Sequence, residues 1–193
     1  MHTLSAAFVL GFHGCDQEVA EKLLAGHEFD PSNNAYDWLG PGIYFWEANP
    51  RRGLEDAKEL KRLRRGPRID IPAVIGAVVD LRLCLDLTTA TGIEQVRSAY
   101  KQLVAMTEGA GVKRPINSDD LLRRNLDCAV IKSVHQIRTQ KDLPAIDTIK
   151  SVFIEGGRAY PESGFYEKTH VQICVCNPDC IKGVFRVRSK QLD

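Results

Sequence analysis

Three short stretches of this sequence carry residue types that could do chemistry. Phe12-His13-Gly14-Cys15 sets an imidazole and a glycine at the end of an apolar run. A glycine at a strand end lets a ligand approach backbone N–H and C=O closely, so a flat carboxamide could make two hydrogen bonds there. The neighbouring His13 imidazole is a natural donor to a ribose hydroxyl. Further on, Leu39-Gly40-Pro41-Gly42-Ile43-Tyr44-Phe45-Trp46-Glu47 places an aromatic cluster directly after a glycine- and proline-rich turn. Strand alternation sends Tyr44 and Trp46 to one face and Phe45 to the other. The two stretches could line one cleft, with hydrogen bonds on one wall and a flat ring on the other, suited to a flat heteroaromatic ligand. Packing alone is the other reading. A histidine in an apolar run is commonly a satisfied core residue, and aromatics are good strand formers.

The third stretch is His170-Val171-Gln172, in which His170 and Gln172 share one face of a strand flanked by Ile173 and Val175. Polar side chains on a buried face need partners or cost roughly 1–3 kcal/mol each. Either they line a polar cleft or that face meets solvent. A run of charge follows the aromatic strand: residues 51–68 hold Arg51, Arg52, Lys58, Lys61, Arg62, Arg64, Arg65 and Arg68 against Glu55, Asp56 and Glu59. Such a run is usually a solvated helix face. It could also attract a phosphate-bearing substrate or a nucleic acid.

These stretches need elements to position them. Residues around 6–13 read as a buried strand, and Asp16 caps a short helix with Val19, Leu23 and Leu24 on one face, stopped at Gly26. Asn49-Pro50 opens the basic helix, whose buried stripe is Leu54, Ala57, Leu60 and Leu63, ending at Gly66-Pro67. Ala73–Val79 and Leu81–Leu87 read as strands, followed by helices at about 93–107 and 118–138. The second of these is capped near Ser118 and carries Leu121, Leu122, Leu126, Ala129 and Val130 on its apolar side. Thr148–Ile154, Thr169–Cys176 and Ile181–Val187 read as closing strands, with a loop over 156–168. Strands at both ends around a helical middle predict an α+β domain.

Composition bounds the rest. At 193 residues the chain is long enough for one full core, and its 44% hydrophobic and 26% charged residues are those of a globular protein. A net charge of +1 excludes a globally basic nucleic-acid binder, though not a local patch. No apolar run approaches the roughly 18 residues that span a bilayer, so no membrane association is expected. The opening Met1-His2-Thr3-Leu4 has no basic region ahead of Ala6-Ala7-Phe8-Val9-Leu10, which reads as strand rather than signal peptide. Six scattered cysteines form no disulfide framework, which favours a reducing, cytoplasmic setting. Cys174, Cys176 and Cys180 lack a second ligand pair at zinc-finger spacing. They are expected to be small apolar residues of a buried strand, with no metal.

In order and spacing, Phe12-His13-Gly14-Cys15, Val19-Ala20-Glu21-Lys22-Leu23-Leu24, Gly40-Pro41-Gly42-Ile43-Tyr44-Phe45 and the late segment Ile146-Asp147-Thr148-Ile149 with Val171–Pro178 resemble the catalytic domain of ADP-ribosyltransferases. The branch is the poly(ADP-ribose) polymerase-like, diphtheria-toxin-like one. The likeness covers about residues 8–60 and 146–187. It implies one catalytic domain over 1–193: an ADP-ribosyltransferase-like split mixed or antiparallel β core with flanking helices and a helical insertion at about 90–140.

The resemblance further implies NAD as cosubstrate. Gly14 would hold the nicotinamide carboxamide through its backbone, His13 the adenosine ribose, and Tyr44 would stack on the nicotinamide ring. Cleavage of the nicotinamide–ribose bond through an oxocarbenium-like transition state would be followed by transfer of ADP-ribose to an acceptor. The family commonly has a glutamate where Gln172 falls here, aligned through Asn177-Pro178. A glutamine cannot act as a base, which favours single transfers over chain elongation. Glu155, Glu162 or Glu167 could supply a carboxylate, and His170 stands where related toxins keep an acceptor-orienting residue. A second ring-sandwich tyrosine is replaced by Glu55, so either Trp46, Tyr160, Phe165 or Tyr166 stands in or the stack is one-sided.

The resulting expectation is a mono-ADP-ribosyltransferase of bacterial toxin or phage-defence type. Its acceptor would be a protein or a nucleic acid, RNA included through Arg51, Arg52, Lys58 and Arg62, and an antitoxin or regulator could accompany it. The alternatives are an NAD glycohydrolase and a non-catalytic NAD or ADP-ribose binding module.

Overall fold

The longest ladder in the molecule joins β1 (Phe8–Asp16) to β3 (Pro72–Asp80), antiparallel from Phe8↔Asp80 to Asp16↔Pro72. This computed structural model describes residues 8–64, 66–119 and 123–192. The remaining strands are β2 (Ile43–Glu47), β4 (Cys84–Asp86), β5 (Thr148–Phe153), β6 (His170–Val175) and β7 (Ile181–Arg186). All belong to one sheet of order β4-β5-β6-β2-β1-β3-β7, in which β4 and β5 run parallel and the other neighbours antiparallel. With helices α1 (Gln17–Leu24), α2 (Pro50–Leu63), α3 (Ala90–Gly109) and α4 (Asn125–Gln140), the fold is α+β.

The sheet is unevenly paired at its centre. β1 and β2 meet at Gly11↔Glu47 and Phe12↔Trp46, and the Ala48 N–H adds a bond to the Leu10 carbonyl at 2.8 Å. From His13 onward β1 stays with β3, while β2 follows β6 from Ile43↔Val175 to Trp46↔Gln172. The two halves of the sheet therefore splay apart beyond Phe12. Gly11 permits the close crossing, because a Cβ there would lie 2.8 Å from the Phe45 Cβ.

Pleating then sorts the side chains. Phe12 and Trp46 are cross-strand partners, so Gly14, Tyr44, Gln172 and His170 share their face. α2 covers that face, bringing Gly53 over Phe12, Gly14 and Val74. Beside it, α3 and α4 bury Ala99, Val130, Ile131 and Val134 against Leu39, Leu85, Ile149 and Cys174. The opposite face carries His13, Cys15 and Phe45, with α1 packed by Ala20 and Leu23 on Cys15, Ala73 and Ile75.

The caps read from the sequence hold at two helices. Asp16 accepts from the Glu18 N–H, and Asn49 accepts from the Arg52 N–H with Pro50 in the first turn. Several boundaries differ. α3 begins earlier, capped by Thr89. α4 starts at Asn125 instead of near residue 118, because Ser118 closes a turn with Arg123 while the Asn117 carboxamide caps the Leu126 and Asp127 N–H groups from outside the helix. Leu121 and Leu122 lie outside the described residues, as does Arg65. Val19 and Leu63 were expected on buried faces but are exposed: α1 turns Ala20 and Leu23 inward instead, and Leu63 is the last residue of α2, past its contact with the sheet. Among the described residues no helix is long and apolar enough to cross a membrane.

Candidate functional site

The split is where the early motifs meet. The Tyr44 carbonyl faces the edge that β1 has left, and His13 Nδ1 lies 2.9 Å from it. A carbonyl only accepts, so Nδ1 carries the proton. Burial lowers the His13 pKa, so the ring is neutral at pH 7 and Nε2 presents a lone pair. His13 is thus an acceptor for a hydroxyl, the reverse of the donor role expected from sequence. Phe29 at 5.5 Å and Phe45 at 5.7 Å between ring centroids hold the imidazole on the face opposite Tyr44. The two side chains therefore flank the split from opposite faces of the sheet.

Gly14 is required for a reason the sequence did not reveal. A Cβ there would collide with the Gly53 carbonyl of α2, so the glycine first serves close helix–strand packing. A ligand can reach its backbone from the strand edge that the split exposes. Tyr44 is fixed at its hydroxyl, which accepts from the Leu39 N–H at 3.1 Å and donates to the Gly40 carbonyl at 2.7 Å. Burial pushes its pKa up, so the phenol stays protonated. Its ring is preorganised, and its hydroxyl is already used.

A second group of residues lies on the α2 side of β6. His170 and Gln172 are 5% and 8% exposed, which excludes the solvent-facing reading of that strand. The Gln172 Oε1 accepts from Trp38 Nε1 at 2.9 Å, leaving its amide N–H groups as the donors it offers elsewhere. His170 stacks on Phe153 at 5.6 Å and lies 6.4 Å from the Trp46 ring. Above them, Arg52 is almost fully buried and ion-pairs through Nη2 with Glu155 at 3.1 Å and Glu59 at 3.8 Å. Lys168 closes the group on Glu59 at 2.5 Å. Asp56, half-buried beside these charges, has its carboxyl pushed up to about 7, chiefly by desolvation. Among the described residues, Trp46 Nε1, Arg52 Nε and Nη1, and His170 Nε2 are buried polar atoms with no hydrogen-bond partner. Unsatisfied buried groups are uncommon, and water, an ion or a ligand is what completes them.

The other sequence-derived candidates divide. Of the three possible carboxylates, Glu155 joins this chamber through Arg52, whereas Glu162 and Glu167 are exposed on the loop. Tyr160 and Phe165 are also exposed, and Tyr166 packs under Arg158. Trp46 is nearly buried. Arg52 is no surface contact, since its guanidinium points inward. Lys58 and Arg62 remain exposed, and Arg51 is exposed with Glu55 at 3.2 Å. Asp56, Glu59, Lys168 and Trp38 were not singled out from sequence. The signal for α2 was present: Arg52, Asp56 and Glu59 follow one another at helical spacing, one position before Gly53, Ala57 and Leu60.

The cysteines separate too. Cys174 is fully buried, as the packing reading requires. Cys176 is half-exposed at the end of the strand, 4.0 Å from His135 Nε2. The neighbouring Cys174 thiol and the nearby imidazole bring its thiol down to about 6.

No family model matches the chain, and no solved structure matches it. A stretch of 36 residues is 47% identical to part of the uncharacterized protein MJ0359 of Methanocaldococcus jannaschii, covering 19% of this chain and 17% of that protein.

Proposed function

We propose that this chain is an NAD-consuming mono-ADP-ribosyltransferase. The observation that carries the reading is the split between β1 and β2, with a neutral His13 locked on the Tyr44 carbonyl and its Nε2 lone pair free for a hydroxyl. A free strand edge at Gly14 can pair with a carboxamide as a neighbouring strand would, and the rigid Tyr44 ring stands on the adjacent strand. Gln172, cross-strand from Trp46 on β6, keeps its amide N–H groups as donors, suited to grip a ribose hydroxyl but not to remove its proton. That chemistry favours one transfer per acceptor. A toxin or defence role, with an RNA or protein target drawn to Lys58 and Arg62, follows from the same reading.

The test is release of nicotinamide and transfer of label when the protein meets NAD labelled in its ADP-ribose part. Turnover is expected with the native chain, and His13→Ala should lower kcat/KM by about a hundredfold or more while the melting profile stays cooperative. Full activity in that variant would remove the split as the site.

A further inference from the structure

We propose that His170 is the general base of this transfer and that its acceptor is a ribose hydroxyl of RNA; the proposal rests on the NAD-consuming reading above. His170 Nδ1 lies 2.7 Å from the Lys168 carbonyl, so Nδ1 holds the proton and the neutral ring presents its Nε2 lone pair inward. Burial keeps the ring neutral at pH 7. Trp46 Nε1 and Arg52 Nε and Nη1 are likewise buried without a partner, with the Trp46 ring 6.4 Å from that of His170 and the Arg52 charge acting on it. This neighbourhood therefore holds spare donors and one spare acceptor.

A hydroxyl is the nucleophile that matches this set. Its oxygen accepts from Trp46 and Arg52, and its hydrogen points at His170. A carboxylate would bring no proton and would set its lone pairs against Nε2. An ammonium or guanidinium group would bring positive charge against Arg52 and no lone pair for the donors. The exocyclic amine of a base has its lone pair delocalised into the ring and accepts poorly. RNA is favoured over a protein hydroxyl because α2 presents Arg52 to the chamber and Lys58 and Arg62 to solvent, so one helix can hold a phosphate backbone and flank the reacting sugar. An acceptor enters by displacing residues 155–168, which are tied to α2 by the Glu155–Arg52 and Lys168–Glu59 pairs.

In the step, the hydroxyl oxygen bonds to the anomeric carbon of the nicotinamide ribose. The carbon–nitrogen bond breaks, and its electron pair returns to the pyridinium nitrogen, giving neutral nicotinamide. The hydroxyl proton passes to His170 Nε2. The imidazolium so formed keeps its Nδ1–H on Lys168 and lies near the Glu155 carboxylate, and the proton is later lost to water.

The native full-length chain with labelled NAD is offered three end-blocked oligonucleotides of one sequence, RNA, 2′-O-methyl RNA and DNA, and a serine-rich peptide. Label is expected on RNA and not on the two oligonucleotides lacking the free hydroxyl, because the attacking oxygen is absent or blocked there. Equal labelling of RNA and DNA, label on the peptide alone, or free ADP-ribose as the sole product would each overturn the proposal while leaving NAD consumption standing. If no nicotinamide is released under any condition, the NAD reading falls and this proposal with it. His170→Ala supplies a second readout: kcat should fall with KM for NAD unchanged, and added imidazole should restore part of the rate. Loss of rate without rescue in a variant that still melts cooperatively would make His170 structural. The groups that act on the His170 ring are the Lys168 carbonyl, Glu155 and Arg52.

Discussion

The split at His13 and the chamber at His170 each hold a neutral histidine with Nδ1 bonded to a backbone carbonyl, yet they differ in almost everything else. Aromatic rings surround His13, and the hydroxyl of nearby Tyr44 is satisfied within its own turn. His170 sits beneath an ion network drawn from α2, β6 and the loop between β5 and β6, with donors left over. The first region is built to keep its shape. The second carries unspent hydrogen-bonding capacity, open to water or to a ligand.

Substitutions in the two regions should therefore act unequally. The largest effect is expected from Arg52→Met, which strands Glu155 beside a buried face and leaves Glu59 with Lys168 alone. Chemical denaturation should show a loss of about 3 kcal/mol, the size typical of breaking a buried pair. A loss below about 0.5 kcal/mol would mean the network behaves as a surface pair.

Next comes Asp56→Asn. The Asp56 carboxyl titrates at about 7 in the fold against 3.8 when free, so between these values the folded chain holds a proton that the unfolded chain has lost. Stability from this group is present in full below about pH 4 and falls as pH rises toward 7, on the order of 2 kcal/mol for a carboxyl that keeps some solvent contact. The asparagine variant should lose that part of the pH dependence of Tm. An unchanged profile would place Asp56 in solvent.

The smallest effect is expected in the split: Tyr44→Phe removes the bonds to Leu39 and Gly40 but keeps the ring, and should cost about 1 kcal/mol with NAD turnover largely retained. A collapse of turnover would show that the hydroxyl, and not only the ring, serves the ligand.

Local signals were readable where neighbours in sequence decide the outcome. Asp16 and Asn49 cap their helices because the cap closes within three residues, and the pleat put Tyr44 with Trp46 because strand alternation is local. The start of α4 was misplaced because its cap, Asn117, reaches in from outside the helix. The roles of His13 and Gly14 changed for the same kind of reason. Residue type said an imidazole and a flexible backbone, whereas the proton position depends on the Tyr44 carbonyl and the need for glycine on the Gly53 carbonyl.

The sequence by itself determined the α+β alternation, the aromatic strand and the shared face of His170 and Gln172, since periodicity and capping act over a few residues. Only the tertiary structure decided that Arg52, Glu59, Glu155, Lys168 and His170 form one chamber. Charges separated by more than a hundred residues become neighbours when α2 packs across the sheet. Burial then sets which of them keep their protons.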